Sequence, residues 1–344
     1  IEEIDELFSK WNGEKLSQEQ AGKLSGIDSI RYLKDFSDFV YGVMNNTRYT
    51  HYNINQVYLD LERRNSKHFF SYALNFAKDL QKTNPEIKIM NAYNILISLR
   101  MIKETEEVSC IKESIEITGK ALEEMMKHIK PHIHEYQVEA VFDYYIKSQQ
   151  KTHAFPTIAA SGKNATVLHY ENNNAELNDG QLILFDLGCR SEFYCSDITR
   201  TYPIGKKFSF QQKQIYEIVL ETNKKCIQYV KPGITWEDLN QYANSLLAKG
   251  LMNLGMIQTP DQLKQYYWHS IGHMLGLDTH DPSIRTTPFQ AGMVLTIEPG
   301  LYLEELGIGI RIEDNVLVTA NGCENLSKNI IKEVTDIEKW MSEM

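Results

Sequence analysis

Residues 177–188 read Leu177-Asn178-Asp179-Gly180-Gln181-Leu182-Ile183-Leu184-Phe185-Asp186-Leu187-Gly188, and residues 289–300 read Phe289-Gln290-Ala291-Gly292-Met293-Val294-Leu295-Thr296-Ile297-Glu298-Pro299-Gly300. Set against each other at an offset of 112 positions, both show an apolar residue, a glycine, an apolar run, an acid and a second glycine at the same places. A further correspondence precedes them at an offset of 101, where Ile129-Lys130-Pro131-x-Ile133 matches Val230-Lys231-Pro232-x-Ile234. The helical stretches before those prolines also agree, Glu116-Ile117 with Glu217-Ile218. Internal repetition decides architecture, because each copy is one structural unit whose buried face needs the other. The repeat predicts a duplicated domain in which each half supplies a buried strand ending in a carboxylate. Acids from distant sequence then meet in one cluster, and a cluster of acids needs cations.

Working outward, the second half of the plan is legible from the first. Leu182-Ile183-Leu184-Phe185 suits a strand buried on both faces, and Phe193 to Thr201 reads as the returning strand after a turn over Gly188 to Glu192. Ile111, Ile115, Leu122, Met125 and Ile129 recur at helical spacings, and Pro131 stops that helix. A second helix spans about Glu135 to Gln149. In the second half a helix runs from about Phe210 to Val230, Thr235-x-x-Asp238 has the form of a capping box, and strands are expected from about Trp268 onward. A closing helix begins near Thr335. The first 104 residues have no counterpart in the repeat. They mix helix-like stretches (Phe69–Leu80) with strand-like ones (Lys88–Met90, Ile95–Leu99) and read as a smaller α/β domain.

Composition sets the class. The chain has 344 residues, 42% hydrophobic and 24% charged, with a net charge of −10. That length predicts two domains, and the acidic balance argues against a nucleic-acid partner. No apolar run is long enough to cross a bilayer. The five cysteines are an odd number with no Cys-x-x-Cys pair, which points to reduced thiols in a cytoplasmic setting. Cys189 and Cys195 flank the acidic hairpin, and packing is their expected role. No signal peptide opens the chain, although it starts at Ile1 without a methionine.

Five residues carry the chemistry. Asp186 and Glu298 end equivalent strands, Asp197 and Glu313 lie on the returning strands, and His273 precedes the strands of the second half. A single acid at a strand end is ordinarily a solvated turn residue, and a lone histidine is ordinarily structural. Acids placed at the same end of two buried strands by a duplication are different. Four converging carboxylates would repel and several would have to protonate; a pair of divalent cations removes that conflict. One imidazole among oxygen donors suits Mn²⁺ and admits Co²⁺, Zn²⁺ or Fe²⁺.

The chain resembles the pita-bread metallopeptidases, the group that contains aminopeptidase P, prolidase and methionine aminopeptidase. The resemblance rests on Asp186-Leu187-Gly188, Ser196-Asp197-Ile198-Thr199-Arg200-Thr201, the segment Gly272-His273 to His280-Asp281, Ile297-Glu298-Pro299-Gly300 and Arg311-Ile312-Glu313-Asp314. It implies an α+β fold: a pita-bread catalytic domain over 105–344, preceded over 1–104 by a creatinase/prolidase-like α/β domain. That leading region is shorter than the family's usual one, so the chain is expected to begin inside it. The resemblance further implies that Asp186 chelates one metal, that Asp197 and Glu313 bridge both, and that His273 and Glu298 hold the other. His169 and His280 match positions that contact substrate and the tetrahedral intermediate. His269 and Phe155 match positions lining the substrate site, and Arg311 pairs with a ligand carboxylate.

The activity implied by the resemblance is peptide hydrolysis by a metal-bridging hydroxide, with Glu298 accepting the proton and His280 and His169 stabilising the oxyanion. The Leu277-Asp278-Thr279-His280-Asp281 and Gly307-Ile308-Gly309-Ile310-Arg311 segments resemble bacterial aminopeptidase P, which releases Xaa from Xaa-Pro peptides. The 15-position gap between Glu298 and Glu313 resembles prolidases, which split Xaa-Pro dipeptides. The aminopeptidase is the first reading, with proline-containing peptides as substrates and a homodimer or homotetramer as the assembly. A pita-bread binding protein without catalysis is the rival from another class, and the intact ligand set argues against it.

Overall fold

The apolar runs of the repeat become the centres of two small antiparallel sheets. The computed structural model describes residues 1–3, 6–45, 54–63, 67 and 71–343. By packing, the chain divides into two units, Ile1–Tyr93 and Asn94–Met344. In the second unit, the strand Leu182–Leu187 runs between Ile158–Ser161 and Ile198–Pro203, pairing antiparallel with both. Leu182, Ile183, Leu184 and Phe185 are at most 1% exposed, which explains why the sequence shows no polar alternation there. In the other half Asp314–Val318 runs between Val294–Ile297 and Cys323–Asn325. Both sheets are backed by helix pairs: Thr105–Met126 with Glu135–Ser148, and Phe210–Tyr229 with Trp236–Asn253. The result is the duplicated α+β arrangement expected from the repeat.

Local chemistry sets the helix boundaries. The helix Phe210–Tyr229 opens on a reciprocal cap, Ser209 Oγ accepting from Gln212 N at 3.2 Å and Gln212 Oε1 from Ser209 N at 2.7 Å. Thr235 and Asp238 cap the next helix in the same way. The helix Thr105–Met126 buries Val108, Ile111, Ile115, Leu122 and Met125 along one face and ends before Pro131.

The repeat reaches further than the strands. The segment 271–275 lies against the strand Val294–Ile297 as Ile158–Ser161 lies against Leu182–Leu187: Glu298 N donates to Ile271 O at 2.9 Å, Thr296 N to His273 O at 2.9 Å, and Leu275 N to Val294 O at 3.0 Å. Gly272 makes this approach possible, since a Cβ there would stand 2.0 Å from Thr296 O. After each acid a hairpin follows, Cys189–Ser191 with Tyr194–Cys195 and Gly300–Leu303 with Ile308–Arg311.

Three expectations are corrected. The turn expected over Gly188 to Glu192 is instead the strand Cys189–Ser191, and the chain reverses at Glu192 and Phe193, both in the left-handed region. Regular strands do not dominate from Trp268; up to Val294 the backbone is irregular, apart from isolated bridges at Met274. Residues 95–99 are not a strand but part of the helix Tyr93–Met101, whose buried residues Ile97 and Met101 stand one turn apart. The first unit contains the helix Tyr72–Thr83 and a parallel pair, Gln56–Leu59 with Lys88–Asn91. Phe69 and Phe70, the expected start of that helix, lie outside the described residues.

Candidate metal centre and active site

The acids sit where strands end or break. Asp186 is the last but one residue of its strand. Asp197 lies just before Ile198–Pro203, Glu298 between Val294–Ile297 and Gly300–Leu303, and Glu313 between Ile308–Arg311 and Asp314–Val318. At such breaks a side chain is freed from the sheet faces and can turn toward the seam between halves. Backbone bonds stitch that seam: Glu313 N donates to Thr199 O at 3.0 Å. Asn315 accepts from Asp197 N at 3.2 Å and donates to Asp197 O at 2.6 Å. Asn223 donates to the carbonyls of Ile297 and Ile312, fixing the residues before Glu298 and Glu313.

Asp197, His273 and Glu313 each offer a donor atom, all within 4.8 Å of one another. His273 Nε2 lies 3.4 Å from Asp197 Oδ2 and 3.6 Å from Glu298 Oε1. Its other nitrogen, Nδ1, is 3.0 Å from the Met274 carbonyl. A carbonyl only accepts, so Nδ1 carries a proton, and Nε2 is the ring atom that faces the acids and is placed to ligate. Burial pushes the Asp197 carboxyl well above the usual range, and Asp186 and Glu298 add repulsion. Glu313 is raised by burial and by Asp197, and Glu298 by burial against the opposing His273 and Arg311.

The residues fit divalent cations on an observation independent of these shifts. Asp186 Oδ1, Asp197 Oδ1 and Glu313 Oε1 are each buried with no hydrogen-bond partner among the described residues. Three buried carboxylate oxygens without donors are costly, and cations between them remove that cost.

A hydrogen-bond relay surrounds the cluster. Arg311 donates to Asp186 Oδ2 at 2.6 Å, to the Tyr302 hydroxyl at 3.0 Å and to Thr199 Oγ1 at 3.1 Å. Thr199 in turn donates to Glu313 Oε2 at 2.8 Å. His269 Nδ1 faces the Ser270 carbonyl at 2.8 Å and therefore bears the proton, so Nε2 accepts from Tyr302, also at 2.8 Å. Burial and Arg311 pull the His269 pKa down to about 4. Burial and His273 do the same to His280, whose ring lies 3.9 Å from that of His273. Both histidines are neutral near pH 7.

Every site residue singled out from the sequence lines one cavity of about 600 Å³, His169 and Phe155 included. Sequence reading missed Tyr302, Asn223 and Asn315 as members of the network. The one available signal was Tyr302's position, four residues after Glu298 on the strand that follows it.

Comparison with known proteins places the chain among metallopeptidases. The model of metallopeptidase family M24 matches residues 109–320. The chain is 30% identical to the Xaa-Pro aminopeptidase of Haemophilus influenzae, covering 98% of this chain and 80% of that protein. It is 38% identical over 276 residues to the mitochondrial intermediate cleaving peptidase 55 of Arabidopsis thaliana, covering 77% of this chain but only 56% of the relative. Among solved structures, a Bacillus anthracis protein described as a candidate aminopeptidase P superposes with a TM-score of 0.96 at 45% identity, covering 100% of this chain and 81% of its own. A glutamate-to-alanine variant of Escherichia coli aminopeptidase P in complex with substrate gives 0.88 at 28%, covering 99% of this chain and 81% of its own.

Proposed function

The chain belongs to metallopeptidase family M24, and from that premise we propose that it is an Xaa-Pro aminopeptidase, removing the first residue from peptides whose second residue is proline. The observation that carries this reading is the meeting of Asp197, His273 and Glu313, with Asp186 and Glu298 beside them, in one cavity that three more histidines line.

Asp186, Asp197, His273, Glu298 and Glu313 would hold two divalent cations, Mn²⁺ first among Mn²⁺, Co²⁺, Zn²⁺ and Fe²⁺. When bound, they supply Lewis acidity at the scissile carbonyl and lower the pKa of water. Glu298 is the proton carrier: it takes the proton of the attacking water and returns it to the departing proline nitrogen. His280, neutral at working pH, offers an N–H to the carbonyl oxygen as charge develops there, and His169 joins it from the opposite half. Phe155, Ile158 and Leu168 give the cavity an apolar wall suited to a proline ring.

Functionally we divide the chain at 104/105, with an N-terminal domain before the catalytic one, and we assign it a homodimeric or homotetrameric state. No helix among the described residues is long and apolar enough to cross a membrane. The five free thiols suit a reducing, cytoplasmic setting.

The test compares an Xaa-Pro-Yaa tripeptide with an Xaa-Pro dipeptide, each with Mn²⁺ and with a chelator. Cleavage of the tripeptide at the Xaa-Pro bond, lost on chelation, is expected. Cleavage of the dipeptide alone would make the enzyme a prolidase. Asp197→Asn and Glu313→Gln should each abolish turnover in a protein that still folds; activity within a few-fold of wild type would overturn the assignment of those residues.

A further inference from the structure

His280 carries a demanding task on a loop. It lies in the turn 278–281, outside any helix or strand, and among the described residues no side chain hydrogen-bonds its ring. Stacking on His273 sets how far away the ring sits, but its direction depends on the backbone of the turn.

That turn is gripped by two cations from the segment that precedes the first long helix. Lys103 Nζ lies 3.0 Å from Asp281 Oδ2, with both side chains only 1% exposed. Arg100 reaches the other oxygen of Asp281 and, at 2.8 Å, Asp278 Oδ2. The turn is also closed on itself, Asp278 N donating to Asp281 Oδ1 at 3.3 Å and Asp281 N to Met274 O at 2.9 Å. Lys103 N donates to Gly292 O at 2.8 Å, two residues before the strand that leads to Glu298. Gly276 leaves room for the pair: a Cβ there would stand 2.7 Å from Asp281 Oδ2 and 3.0 Å from Lys103 Cε.

A buried Lys–Asp pair is a poor way to gain stability, because desolvating two charges offsets most of their attraction. Its directional bonds, however, fix a backbone in one place. We propose that Lys103 and Arg100 are positioning residues for His280, acting through Asp281 to hold the imidazole at the angle the reaction needs. The proposal rests on the reading of His280 as the group that stabilises the oxyanion.

The test is a double-mutant cycle on the metal-loaded protein, with metal stoichiometry and melting temperature measured alongside kinetics. Wild-type turnover of an Xaa-Pro peptide comes first; its absence would count against the functional reading and leave the clamp to be judged separately by the position of the 278–281 turn in a crystal structure of Lys103→Met. With wild type active, Lys103→Met should lower kcat by about 10- to 100-fold, the scale of a misplaced catalytic group. KM should stay within about threefold and metal content should not change, because substrate and metal contacts remain. Combined with His280→Ala, Lys103→Met should cause no further loss, since the two act as one unit.

A kcat within about twofold of wild type in folded Lys103→Met, or losses that multiply in the double variant, would overturn the proposal. If Lys103→Met does not fold, Arg100→Gln replaces it in the same cycle. Arg100 is 31% exposed, and the same two outcomes decide.

Discussion

Tyr302 joins two residues that would otherwise act separately. Its oxygen accepts from Arg311, the arginine that also grips Asp186, while its O–H donates to His269. Burial pushes the phenol up to about 12, so it stays a donor at any working pH. Tyr302→Phe removes both bonds and leaves the ring's packing intact. Arg311 keeps Asp186 and Thr199, so metal content should hold, but His269 loses the partner that fixes its far nitrogen. A buried hydrogen bond to a charged group contributes about 1.5–3 kcal/mol. The expected outcome is therefore a fall in kcat/KM of roughly 10- to 150-fold. Steady-state kinetics at matched metal occupancy would check it; a variant as active as wild type would show that the relay does not reach the reaction.

Among the elements, the strand Asp314–Val318 is tied down hardest at its first residue. Asp314 is fully buried, paired with Arg200 at 2.8 Å and with Lys332, and it accepts from Ser327 at 2.7 Å. Arg200 also donates to the carbonyls of Thr199 at 2.9 Å and Glu313 at 2.6 Å. This ion cluster thus holds the break that turns Glu313 toward the seam. Arg200 and Lys332, against the cost of burial, hold the Asp314 carboxyl well below its usual range. A carboxyl whose pKa is lower folded than unfolded stabilises the fold above its unfolded pKa, about 3.9. That contribution is lost as pH falls toward the folded value. Asp314→Asn should then cost about 3–5 kcal/mol at neutral pH, the range for breaking a buried pair. The deficit should be constant from pH 7 down to about 5 and shrink below about pH 4. Urea denaturation of both proteins across that range would measure it; a deficit that does not vary with pH would mean the charge is not what stabilises.

The same elements show what could be read in advance. Leu182–Leu187 and Val294–Ile297 announced themselves because burial on both faces removes polar residues, and the repeat confirmed their ends. Segment 271–275 pairs like a strand but is broken by its bridges, so its sequence showed extension without regularity. Residues 95–99 misled because a short apolar run suits strand and helix alike; only the packing of Ile97 and Met101 decides. Asn223 and Asn315 were invisible for another reason. Asn223 and Asn315 meet partners 74 to 118 positions away, and no local pattern encodes such a meeting.

For the molecule as a whole, duplication makes the proposed metal site a joint between halves. Asp186 and Asp197 come from one half and His273, Glu298 and Glu313 from the other, and their buried unpartnered oxygens oppose closure when nothing neutralises them. Cations bound there stabilise only the state in which both halves meet. Binding at 100 times the dissociation constant adds about 2.7 kcal/mol. In a unit of this size that raises the melting temperature by roughly 5–10 °C. Hydrogen exchange should locate the effect. With Mn²⁺, protection should rise together around Asp186 and Asp197 and around Glu298 and Glu313. The outer faces of the helices Thr105–Met126 and Phe210–Tyr229, which do not touch the cluster, should change little. Protection gained in one half alone would mean that the cations bind one set of ligands, and that the seam closes without them.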